Sequence, residues 1–178
     1  MFFITTGCTP RCGAGQPARS STCIPAGGTA SYAYGVADGQ QVGYVYDYYY
    51  RARAALWSGS ASSFVDLHPS GWYQSYAYGV AGGQQVGYCL RVIGQPHAAL
   101  WSGSASSFVD LHPSGWYQSY AYGVAGGQQV GYVYNYYGAH AALWSGSASS
   151  FVDLHPSGWY QSYAYGVAGG QQVGYAVS

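Results

Sequence analysis

Lysine and glutamate are absent from this chain of 178 residues, and its charges are five Arg and five Asp. Net charge is formally zero and only 6% of residues are charged. No face can therefore carry the dense cationic stripe that nucleic-acid backbones or anionic membrane surfaces attract, and neither partner class is expected. Apolar runs are also short. None approaches the roughly 18 residues of a membrane-spanning helix, so membrane insertion is not expected. The start, Met1-Phe-Phe-Ile-Thr-Thr-Gly7, lacks the basic opening and long apolar stretch of a secretion signal. On that reading the chain is a fragment, or one whose leader has been removed.

Cysteine is sparse too. Cys8, Cys12 and Cys23 cluster early with C-x3-C-x10-C spacing and no fourth ligand at zinc-site spacing. A Cys8–Cys23 or Cys12–Cys23 disulfide would pin the start in an oxidising compartment; the alternative is unpaired thiols. Cys89 stands where the other copies have Val45 and Val133, and reads as a small apolar strand residue.

What is abundant is aromatic, small and repetitive. Aromatic residues make up 19% of the chain, and glycine alone contributes 28 residues. The stretch Ala55–Tyr88 recurs residue for residue at Ala99–Tyr132 and Ala142–Tyr175. The motif Ser-Tyr-Ala-Tyr-Gly-Val-Ala opens units at Ser31, Ser75, Ser119 and Ser162, a period of 43–44 residues. Periods of this length mark solenoids, propellers or arrays. Tyr, Val, Trp, Ser and Gly dominate over helix formers, so the units are read as β.

Each unit divides into four short strands. In the second, strand A spans Ser75–Ala81, with Tyr76, Tyr78 and Val80 expected on one face and Ser75, Ala77 and Gly79 on the other. Gly82-Gly83 supplies a two-residue hairpin turn, as Asp38-Gly39 does in the first copy. Strand B runs from Gln84 to about Leu90, strand C is Ala98–Ser102, and strand D is Ser107–His112. The B–C connectors vary, as surface hairpins tolerate.

The expectation is an all-β, β-propeller-like array of about four blades of four antiparallel strands. Residues 31–178 form the repeat domain, and 1–30 an irregular start. Aligning Ser31 with Ser75 places Pro25 on Pro69 and Gly27 on Gly71, so the start is expected to supply the last two strands of a closing blade. An open row of blades would leave wide Val/Tyr/Trp faces wet. Closure is expected within the chain or by self-association. Two copies of three and a half blades making seven, and a piece of a longer propeller, are the other arrangements that fit the count.

Ala-Leu-Trp-x-Gly, Val-Asp-Leu, Ser-x-Ala-x-Gly-Val and Gln-Val-Gly-Tyr, recurring in frame, resemble the HAF-type extracellular repeat of bacteria. His97-Ala-Ala-Leu-Trp101 and His140-Ala-Ala-Leu-Trp144 correspond to the stretch for which that family is named, with Arg53 in the His place in the first copy. This chain departs from the family pattern in Ala for Phe before Leu-Trp, and in Ala81-Gly82 where Asn is more usual. The resemblance covers roughly residues 31–178. It implies a secreted or surface-exposed, propeller-like repeat protein and carries no established activity.

Two constellations invite chemistry. The first is Asp-Leu-His, at Asp66/His68, Asp110/His112 and Asp153/His155. Residues two apart share a strand face, so each pair offers two metal ligands or an acid–base couple. Against this, a metal needs further ligands, and an Asp bonding a turn beside a pre-proline His is ordinary joint chemistry. These six residues are expected to form a structural joint between units, with no metal or cofactor. The second is the rim set Trp72-Tyr73-Gln74, Trp116-Tyr117-Gln118 and Trp159-Tyr160-Gln161. Such rings stack on sugar faces while Gln bonds hydroxyls, giving one shallow glycan site per blade; alternatively they wedge between blades as core. Trp57, Trp101 and Trp144 are assigned to packing.

Catalysis is not expected. No nucleophile elbow with separate partners is present, and without glutamate the carboxylate pairs of propeller glycosidases are missing. The expected role is a non-enzymatic extracellular scaffold or surface-interaction protein, with multivalent glycan binding as the alternative.

Overall fold

The computed structural model describes residues 28–178. Cys8, Cys12, Cys23 and the strand-supplying role expected of the start fall on residues 1–27, outside the described residues. The rest is all-β. The first unit is β1 (Ala30–Ala37), β2 (Gln40–Tyr46), β3 (Ala52–Trp57) and β4 (Val65–Asp66). The second is β5 (Gln74–Ala81), β6 (Gln84–Leu90), β7 (His97–Trp101) and β8 (Val109–Asp110). The third is β9 (Gln118–Ala125), β10 (Gln128–Asn135), β11 (Gly138–Trp144) and β12 (Val152–Asp153). A fourth contributes β13 (Gln161–Ala168) and β14 (Gln171–Val177). The first three form separate antiparallel sheets with strands in chain order, and β13–β14 form a two-stranded sheet. Chain-order pairing follows from tight turns: Gly82 and Gly83 both hold positive φ (56° and 75°), the geometry that two-residue hairpins demand.

Two strand expectations need correction. Ser107–His112 was expected to be a full strand, yet only Val109–Asp110 pairs, behind a 3-10 turn at Ala105–Ser107. The serines cause this: the Ser107 hydroxyl donates to the Ser104 carbonyl at 2.7 Å and accepts the Ser102 N–H at 2.8 Å, winding the segment locally. The second correction concerns strand A. Ala77 faces Gly87 and Gly79 faces Val86, so Tyr78 is an extra residue in a β-bulge. Val80 thereby turns away from Tyr76 and joins Ala77 in the core between the first two sheets. β13 carries the same bulge, between Ala164 and Gly166, and in the second unit the site is tight, because a Cβ on Gly79 would lie 2.4 Å from the Tyr122 carbonyl oxygen of the next unit.

Successive units stack through their first strands. β5 lies against β1, β2 and β3, β9 against β5, β6 and β7, and β13 against β9, β10 and β11. Between the first two sheets, Val42, Leu56 and Leu67 meet Val80, Cys89 and Trp101; Val86, Leu100 and Leu111 meet Val124, Val133 and Trp144 one step on. Cys89 is fully buried as an apolar strand residue, and burial pushes its thiol pKa well up.

Trp57, Trp101 and Trp144 are buried as assigned, yet their indole N–H groups have no partner among the described residues. Withdrawing roughly 200 Å² of ring surface stabilises by about 5 kcal/mol at about 25 cal/mol/Å². An unpaired N–H costs about 1–3 kcal/mol, so the apolar term wins.

Candidate functional site

The Asp-Leu-His residues lie where one unit hands the chain to the next. Asp110 sits on β8, His112 follows it, and Ser119 begins the next unit on β9. The His112 Nε2–H donates to the Trp116 carbonyl at 3.0 Å, which leaves Nδ1 to accept the Ser119 hydroxyl at 2.8 Å. The same Ser119 oxygen accepts the Ala98 N–H of β7 at 2.8 Å. His68 with Ser75 and Ala54, and His155 with Ser162 and Ala141, repeat this with every contact between 2.8 and 3.1 Å. The three serines are 0–2% exposed. Burial lowers the pKa of His68 and His112, and neighbouring Arg53 and His97 respectively add to the effect. Burial thus favours the neutral form of both rings, and the carbonyl acceptors of Trp72 and Trp116 place the proton on Nε2.

The carboxylates bond the backbone beside these rings and not the rings themselves. Asp66, Asp110 and Asp153 each accept the backbone N–H of the histidine two residues on, at 2.8–2.9 Å. Their other oxygen goes to the third strand: Asp66 to the Arg53 guanidinium, Asp110 to His97 Nδ1 at 2.8 Å, Asp153 to His140 Nδ1 at 2.9 Å. Although burial opposes it, these bonds hold the Asp110 carboxyl below its ordinary pKa. The side-chain acid–base couple considered for Asp-Leu-His is therefore not formed. His97 and His140 instead stack on His112 and His155 with centroids 4.0 Å apart. Among the described residues no group of three or more His, Cys, Asp or Glu is placed to hold a metal.

The rim aromatics divide. Trp72 packs edge-on against His97 and Phe108 at 5.3 and 5.4 Å, with the Arg91 guanidinium over its ring at 4.8 Å. Trp116 packs on His140 and Phe151 at 5.0 and 5.6 Å. Both belong to the inter-unit core. Trp159 is 46% exposed, and Tyr73, Tyr117 and Tyr160 are also exposed. Gln74, Gln118 and Gln161 each accept a hydroxyl bond from the tyrosine two residues on, at 2.8–3.1 Å. The Gln118 amide also donates to Gln95.

Three groups escaped the sequence reading. Ser75, Ser119 and Ser162 key each joint. Gln85 and Gln129 are fully buried, and each accepts the N–H of the glycine after its unit's third-strand tryptophan-serine pair, Gly103 or Gly146, at 2.8 Å. Two-residue alternation down strand B was the available signal for them, since Gln85 and Gly87 share a face. A tyrosine column also runs through the stack: Tyr44 meets Tyr76 at 4.9 Å, Tyr88 meets Tyr120 at 5.0 Å and Tyr132 meets Tyr163 at 4.9 Å, all edge-to-face. Burial pushes Tyr76 and Tyr120 up to about 12.

The described residues define a tandem-repeat, all-β protein in which buried serines and their histidine partners join one unit to the next. No family model, curated protein or solved structure matches the chain. No helix among the described residues is long and apolar enough to cross a membrane.

Proposed function

We propose that the chain is a non-enzymatic repeat scaffold or surface-interaction module, propeller-like in architecture and working outside the cell or at its surface. One observation carries the reading: in each of the three joints, the groups fit for chemistry are bonded to other groups of the same chain. Both ring nitrogens of His68, His112 and His155 are satisfied internally. Such groups give rigidity between units rather than reactivity. The extracellular placement comes from the HAF-type resemblance.

A glycan-binding role is the second reading, favoured by the exposed Trp159, Tyr73, Tyr117 and Tyr160. A glycan screen with tryptophan fluorescence as readout separates the two. The scaffold reading expects no saturable sugar response. A saturable response lost in Trp159→Ala would establish the glycan reading instead.

A further inference from the structure

What varies most between units is the connector from the second strand to the third, and in each unit its tip is exposed. The tips are Tyr48-Tyr49, Val92-Ile93 and Tyr136-Tyr137, with every side chain between 72% and 94% exposed. Each connector joins paired strands inside a complete four-stranded sheet, so the three project from one edge of the stack, one per unit. Stacked sheets lie about 10 Å apart, which sets the tips in a row.

The tips are held rather than loose. Asp47 Oδ1 accepts the N–H groups of Tyr49 and Arg51 at 2.8 and 3.0 Å, and Asn135 Oδ1 accepts those of Tyr137 and Gly138 at 2.7 and 3.1 Å. In both turns the two tyrosine rings pack edge-to-face, with centroids 5.5 and 5.8 Å apart. Arg51 pairs with Asp47 at 2.9 Å and lies over the Tyr49 ring. The central connector is anchored twice: the Arg91 guanidinium lies over Trp72, and the Pro96 carbonyl accepts the Ser119 N–H of the next unit at 2.9 Å. Fixed tips lose little freedom on contact, which favours association.

Three features select the occupant. Along the stack the tips read Tyr-Tyr, Val-Ile, Tyr-Tyr, the same from either end although the connector sequences around them differ. A twofold axis through the middle tip sets Val92-Ile93 against itself and the first tip against the third, the self-complementarity that an isologous interface requires. Covering most of these six side chains withdraws on the order of 800 Å² from one partner, the share a standard interface takes. Charge does not oppose the contact: Asp47 and Arg51 neutralise each other, the third tip carries no charge, and Arg91 is held over Trp72. We infer that this row is the contact surface for a second copy of the chain, in a twofold dimer. Such a contact is lateral and goes beyond the scaffold reading. A chain that stayed monomeric would leave the glycan screen, and the scaffold conclusion drawn from it, unaffected.

Sedimentation of the full chain, residues 1–27 included, tests this from micromolar to near-millimolar concentration. A monomer–dimer equilibrium is expected, with new amide protection at high concentration confined to residues 47–51, 91–96 and 135–138. Ile93→Asp sets two carboxylates together at the axis and should weaken the dimer more than about tenfold. The exposure of that position leaves the thermal transition in place. Tyr137→Ser should weaken the dimer in the same direction. Photo-oxidative tyrosine cross-linking of mixed light and isotope-labelled chains should join the first tip of one copy to the third tip of the other. The inference is overturned by a monomer at every concentration, by a dimer that Ile93→Asp leaves intact or that is protected elsewhere, by cross-links between like tyrosine tips, or by a monomer whose saturable sugar response Tyr137→Ser removes.

Discussion

His97 and His112 stack face to face with ring centroids 4.0 Å apart, and each spends its bonds on a different element. His97 ties β7 to Asp110, while His112 ties the loop to Ser119 of the next unit. One aromatic contact thus couples the outer edge of a sheet to the strand that crosses it.

That arrangement sets a pH dependence. His68 and His112 have pKa values lowered below 6.5 in the folded chain, while the unfolded chain takes up protons near that value. Between the two values the unfolded state binds more protons, so stability is complete above 6.5 and is lost as pH falls through the folded value. Urea midpoints should drop between pH 7 and pH 5. His112→Gln should flatten the slope, and an unchanged slope would refute the neutral-ring assignment.

Alkaline conditions act through the tyrosine column. Tyr76 and Tyr120 ionise near 12 when folded, against 10 when unfolded. A raised folded value gives stability that is whole below 10 and lost as pH rises through 12. Near-ultraviolet absorbance should therefore show a late tyrosinate phase that coincides with unfolding by circular dichroism.

Ser119→Ala removes the acceptor of the Ala98 N–H and the donor to His112 together. With both partners inside the joint, a loss of about 1–3 kcal/mol is expected by chemical denaturation. Ser114→Ala, at an exposed position, should change stability by less than about 0.5 kcal/mol.

Glycine packing supplies a further contrast. Gly79→Ala places a methyl 2.4 Å from the Tyr122 carbonyl oxygen, so an overpacking cost of about 1–3 kcal/mol is expected. Among the described residues Gly166→Ala meets the Val173 Cγ2 methyl alone, at 2.9 Å, and should cost less.

Repetition and alternation determined much of this protein without coordinates. The unit starts, the all-β class, the chain-order hairpins and the positive-φ turn at Gly82-Gly83 are local or periodic properties, written in residue types and spacing. So was the packing role of Trp57, Trp101 and Trp144. The tertiary structure alone decided the rest, because those features depend on what a neighbouring unit brings into contact. The close approach of Gly79 to the backbone of Tyr122, about one full repeat away, follows from how one unit stacks on the next. Asp110 bonds His97 rather than the His112 ring because β7 lies beside β8, a choice that two-residue spacing along one strand does not encode. The burial of Val86 is of the same kind: Gln85–Tyr88 is an amphipathic segment in the sequence, and only the stacking of Val124 and Val133 from the next unit closes Val86 off.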